Sequence, residues 1–132
     1  MDFSTTNWLA AGVAALAGFP LGMLWYGPLF GKAWMEASGV TMARAKAANP
    51  AITYPLVLIL NLIATSSLSR FVAGGDIHIG AKLGLLVGTT FVAVGFGINY
   101  LFEFRPLRLW LINCGYLIVF FTMAGAILGA WH

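Results

Sequence analysis

Cut at every Asp, Glu, Lys and Arg, the sequence leaves four uncharged stretches of at least twenty residues: Phe3 to Gly31, Ala47 to Ser69, Leu83 to Phe102, and Leu109 to the C-terminus. A helix that crosses a bilayer needs roughly 20 predominantly apolar residues, so each stretch is long enough to span. The stretches are continuous in Leu, Ala, Gly, Val and Ile, without the alternation of lipid-facing and lumen-facing residues that a membrane β-barrel requires. With 61% hydrophobic and 8% charged residues, the chain also has too little polar surface to cover a soluble globule. The expected fold is therefore an all-α membrane protein: four transmembrane helices in an antiparallel bundle, forming one domain over residues 1–132. The spans are predicted at about 8–27, 53–72, 80–102 and 108–130. Asp2 stands just before the first stretch, where a signal peptide would be basic, and further spans follow, so the stretch reads as a span.

The first connection begins at Trp25-Tyr26-Gly27-Pro28. A break is predicted at Gly27-Pro28, then a short interfacial helix from Pro28 to Ser38, with Gly39 as its stop. Lys32 and Glu36 fall on its wet side, and Leu29, Ala33 and Trp34 toward the acyl chains. Thr41 is placed to cap a further turn over Met42 to Ala48. Pro20, inside the first span, cannot donate to the Leu16 carbonyl and predicts a bend. The second span is expected to start near Thr53 and Tyr54, with Pro55 in its first turn.

Small residues recur at helical spacing in three places, where a neighbouring backbone can approach closely. Ala10, Ala14, Gly18 and Gly22 line the first span. Gly80, Gly84 and Gly88 line the third, followed one position round by Thr89, Ala93 and Gly97. Gly125 and Gly129 lie near the end of the fourth. Its glycine content makes the third span the expected centre of the bundle.

Lys32, Arg44 and Lys46 flank the first connection and Arg105 and Arg108 the third, against Arg70 and Lys82 around the second. By the positive-inside rule the first and third connections are cytoplasmic and both termini outside. Trp25, Lys32, Trp34 and Trp110 are the expected interfacial anchors. The net charge of +3 gives no case for nucleic acid, because the basic residues stand one or two at a time beside the spans.

The segment Trp25-Tyr26-Gly27-Pro28-Leu29-Phe30-Gly31-Lys32-Ala33-Trp34 resembles the hallmark of a family of small bacterial four-span membrane proteins, domain of unknown function 1761. Leu109 to Tyr116 and Met123 to Trp131 are similar to its C-terminal pattern. The first connection departs from that pattern at Ala43, Arg44 and Lys46, where the family's acidic residues would stand. The resemblance implies a bacterial inner membrane and a four-helix fold, and brings no reaction, substrate or catalytic residue with it.

No span has an ionisable group in its middle, which argues against proton-coupled export and against haem or metal held within the bilayer. His78 and His132 do not make a metal site between them, Cys114 stands alone, and no nucleophile-base pair, P-loop or GxGxxG is present. No cofactor, metal or catalytic residue is expected. What remains is neutral polarity: Tyr26, Asn61, Asn99, Asn113 and Tyr116 fall in the inner half of four different spans. Such a cluster serves either as a binding site for a small neutral or anionic species or as interhelical glue, and glue is the commoner use. The leading function is a structural or accessory membrane protein whose partners are the lipid bilayer and either further copies of itself or a larger membrane complex. An oligomeric channel or carrier is the alternative, and a lipid-modifying enzyme at the inner interface a weaker one.

Overall fold

The computed structural model describes residues 6–131; Asp2, Phe3 and His132, which entered the sequence reading, lie outside them. The elements are α1 (Trp8–Leu24) with a π-helical turn over Trp25–Leu29, α2 (Gly31–Ser38), α3 (Met42–Ala47), α4 (Pro50–Val72), α5 (Ile77–Leu86) with a second π turn over Val87–Val92, α6 (Ala93–Phe102) and α7 (Leu107–Ala130). Joined across the π turns, they make four apolar helices of 22 to 26 residues. At 1.5 Å per residue these are about 33–39 Å long, enough for a hydrocarbon core of roughly 30 Å.

The π turns have local causes. Pro28 has no N–H to give the Leu24 carbonyl, and the chain widens until the Phe30 amide reaches the Trp25 carbonyl at 2.8 Å, an i to i+5 bond. In the third span, the Thr89 and Thr90 hydroxyls donate back to the carbonyls of Leu85 at 2.7 Å and Leu86 at 2.5 Å, a competition that loosens the helix ladder. The break predicted at Gly27-Pro28 thus comes later, at Phe30 (φ −127°, ψ 7°), and the surface helix begins at Gly31. Gly39 ends it at φ 77°, and the Thr41 hydroxyl caps α3 by accepting from the Arg44 amide at 3.1 Å.

The second span starts at Pro50 rather than Thr53. Asn49 is its cap, accepting from the Ala51 amide at 3.0 Å, and Pro50 takes the first helical position, where a missing N–H costs nothing. Pro55 lies within the helix. The third span likewise begins earlier than Gly80, at Ile77, because the Asp76 carboxylate accepts from the Ile79 amide at 2.9 Å. That bond holds the Asp76 carboxyl below the ordinary carboxylate range, with smaller help from the His78 amide and the nearby His78 and Lys82 charges.

Two sets of contacts fix the antiparallel order. At one end Arg108 pairs with Glu36 at 3.6 Å and Arg105 donates to the Ser38 carbonyl at 3.3 Å, so the first and third connections share that end, here called the basic end. At the other, Asn7 donates to the Trp131 carbonyl at 3.2 Å. The centre of the bundle is the fourth span, not the third. Its buried residues, Leu109, Ile112, Cys114, Phe120, Ala124, Gly125, Leu128 and Gly129, go round the helix, and it packs on all three other spans. In the third span Gly80, Gly84, Gly88 and Ala93 are the buried set. A stripe of glycines makes one very close contact, whereas a central helix needs several faces.

That one contact is backbone on backbone. A Cβ at Gly80 would overlap the Gly125 carbonyl, one at Gly125 the Gly80 carbonyl, one at Gly84 the Phe121 carbonyl and one at Gly129 the Asp76 carbonyl. In the first span Ala10 and Ala14 are fully buried against Leu68, Val72, Ala124 and Leu128, and the buried Thr65 hydroxyl donates to the Ala11 carbonyl at 3.0 Å. Further along the same stripe, Gly18 accommodates the Phe120 ring and Gly22 faces Tyr116. All three small-residue stripes are consumed inside one bundle.

Candidate functional site

Toward the basic end, polar side chains from the first, third and fourth spans meet. The Tyr26 hydroxyl donates to Asn113 Oδ1 at 2.8 Å, and Asn113 Nδ2 donates to the Tyr100 hydroxyl at 2.9 Å. Tyr116 stands one turn from Asn113, its ring 5.4 Å from that of Tyr26, and its hydroxyl donates to the Gly18 carbonyl at 2.9 Å. Asn61, from the second span, donates to the Ala15 carbonyl at 3.2 Å and lies beside Gly18 with Phe120. Aromatic rings continue the seam, Tyr116 stacked with Phe120 at 6.4 Å and Phe120 edge-on to Phe121 at 5.3 Å.

Four of the five predicted cluster residues, Tyr26, Asn61, Asn113 and Tyr116, thus lie along one seam, while Asn99 does not join it. Asn99 is exposed on the back of the third span, and Tyr100 takes the place expected of it. At 100° per residue, Tyr100 is three residues on from Gly97, on the face that meets the fourth span, whereas Asn99 is two on and points away. Continuing the small-residue stripe one step beyond Gly97 selects Tyr100.

Three of the four expected anchors are also turned inward. Trp25 donates through Nε1 to the Ile112 carbonyl at 2.9 Å, with its ring against Gly115 and 4.8 Å from Phe30. Trp34, expected toward the acyl chains, is half-buried with its ring packed edge-on against Tyr26 at 5.6 Å. Trp110 donates to the Ala93 carbonyl at 2.9 Å, with its indole over Gly97. An indole N–H in apolar surroundings takes a carbonyl when one is in reach, and a glycine opposite each of Trp25 and Trp110 makes the reach possible. Lys32 is exposed.

The seam encloses little that a ligand could use. Its amides and phenols are bonded to one another or to helix carbonyls. A cavity of about 50 Å³ lies at the opposite end, beside Asn7, Ser69, Arg70 and Trp131. An open apolar groove runs along Trp8, Ile59, Leu62 and Ile63. Among the described residues, no three His, Cys, Asp or Glu side chains gather as a metal site would need. Fold and seam together define a small four-span membrane protein whose internal polar groups bind its own helices.

The family model described as "Protein of unknown function (DUF1761)" matches residues 9–129, and the chain belongs to this family. No curated protein and no solved structure matches the chain.

Proposed function

We propose that the protein is a structural or accessory component of the bacterial cytoplasmic membrane, which self-associates or packs into a larger membrane complex through its exposed apolar faces. The observation that carries this reading is the closed bonding of the seam, from Tyr26 through Asn113 to Tyr100 and from Asn61 and Tyr116 to the first span's carbonyls. A permeation or substrate path would need polar groups left over for the solute. Because the glycine stripes are spent within the bundle, contacts with other chains fall to surfaces such as those bearing Leu60, Ile63, Phe91 and Leu101.

The N113A variant tests the seam. Interhelical hydrogen bonds in membranes average about 0.6 kcal/mol and reach about 1.7, so losing two of them is expected to cost about 1–2 kcal/mol in detergent unfolding. Liposomes carrying the wild-type and variant proteins are expected to be equally tight to small solutes. Flux through the wild type that N113A or N61A abolishes, with unfolding unchanged, would overturn the reading in favour of a carrier.

The basic end, with Lys32, Arg44, Lys46, Arg105 and Arg108, belongs on this proposal at the cytoplasmic face. A reporter active only in the cytoplasm, fused to either terminus, is then expected to be silent; activity at both ends would reverse the orientation.

A further inference from the structure

The acidic residues of the basic end are already engaged. Glu36 pairs with Arg108 at 3.6 Å and Glu103 with Arg105 at 3.7 Å, while Asp76, the remaining described carboxylate, caps a helix at the opposite end. Lys32, Arg44 and Lys46 are left without an acidic partner among the described residues, and all belong to the Gly31–Asn49 connection. Every residue from Thr41 to Asn49 is exposed, so the protein itself does not hold α3 in place by burial.

We propose that this connection is a docking surface for anionic phospholipid headgroups, with Lys32, Arg44 and Lys46 meeting their phosphodiester groups. Charge complementarity is one ground: the surface has cations in excess, and its one carboxylate, Glu36, is paired with Arg108. Position is the other. The connection leaves one apolar span at Leu29 and enters the next at Pro50, which seats it at the headgroup layer. Met42, 56% exposed at the start of α3, supplies an apolar side chain for the acyl boundary beside those cations. An acidic peptide would satisfy the charge but gives no use for an exposed apolar residue at that depth. The surface needs neither a particular orientation nor a particular partner complex, so it stands apart from the accessory role proposed above.

Native mass spectrometry of the full chain from mild detergent, titrated with phosphatidylglycerol and with phosphatidylcholine, tests it. Each cation near an anionic surface is worth about fivefold in binding, so R44Q/K46Q is expected to lower phosphatidylglycerol retention by roughly tenfold or more after salt screening. The charge-preserving R44K/K46R variant is expected to keep most of it, and phosphatidylcholine retention should not change. If R44Q/K46Q does not fold, the wild type still decides, because its phosphatidylglycerol retention must fall as salt rises. Equal retention of the two lipids, retention independent of salt, or an unaltered R44Q/K46Q would overturn the proposal. Displacement of the lipid by millimolar inorganic phosphate would also overturn it, since that result describes a site for a free anion.

Discussion

Alanine at position 84 is expected to lower stability by about 3 kcal/mol, the upper part of the range of roughly 1–3 kcal/mol for overpacking a close-fitted interior. The new Cβ would overlap the Phe121 carbonyl oxygen and come within 2.9 Å of Thr122 Cα. Both are backbone, so no rotamer change relieves the clash, and the whole of the third span must move off the fourth. Gly80 against Gly125 and Gly129 against Asp76 are closed equally tightly along the same line, so a displacement at Gly84 opens those contacts as well. Against this, alanine favours a helix over glycine by about 1 kcal/mol, a gain smaller than the cost of the overlap, so the net effect is destabilising. Gly12 and Gly95 provide the control: a Cβ at either meets nothing within 4 Å, and G12A and G95A should unfold with or slightly above the wild type. Thermal unfolding in one detergent compares all three, and a G84A variant that melts with G95A would sink the interface.

Much of this arrangement was legible in the sequence, and the misses are physical. The small-residue ladder of the third span steps by four through Gly80, Gly84 and Gly88, then by five to Ala93 and by four again to Gly97. On a plain α-helix the five-residue step rotates the stripe away from its partner. Here it falls on the π turn over Val87–Val92, whose i to i+5 bonds absorb the additional residue, so Ala93 is buried and Gly97 still faces Trp110. Reading the five-residue step as a π turn would have extended the face to Tyr100 and removed Asn99. Spacing along one helix says which residues share a face, but not how many neighbours surround it. That is why glycine content points to the third span as the centre, a place the fourth holds with Phe120 buried on one side and Gly125 on another. Tryptophans beside a span are normally belt residues, and composition alone does not distinguish those from Trp25, Trp34 and Trp110, which find a glycine, a carbonyl or a ring within the bundle.

Trp25→Ala is the second large effect, and its sign in a double-mutant cycle is more informative than its size. The ring occupies the space left by the missing side chain of Gly115, whose hypothetical Cβ would meet Trp25 Cζ2 at 2.9 Å. The Nε1 proton goes to the Ile112 carbonyl, and Phe30, at the start of the surface helix, packs on the same ring. Truncating a buried aromatic side chain costs about 3–5 kcal/mol, and a half-buried Trp25 should fall near the lower figure, about 3 kcal/mol. Trp25→Phe keeps most of the packing and gives up one hydrogen bond, about 0.6 kcal/mol on average in a membrane. In the wild type, G115A drives the ring out of its seat and should destabilise. In the W25A background the seat is empty, and G115A should instead be neutral or gain up to about 1 kcal/mol from helix propensity. Cys114, the only cysteine in the chain and 2% exposed, reports the same opening: maleimide labelling should speed up in W25A and in G115A, but not further when the two are combined. If G115A destabilises W25A as much as it does the wild type, the ring is not what Gly115 makes room for. Loss of Trp25 also loosens Phe30 and the helix that follows it, which brings Trp34 over Tyr26. The first connection is therefore held on the bundle by one indole seated on a glycine, by the Glu36–Arg108 ion pair and by the hydrogen bond from Arg105 to the Ser38 carbonyl at the end of α2, while Arg44 and Lys46 beyond Gly39 have no acidic partner among the described residues.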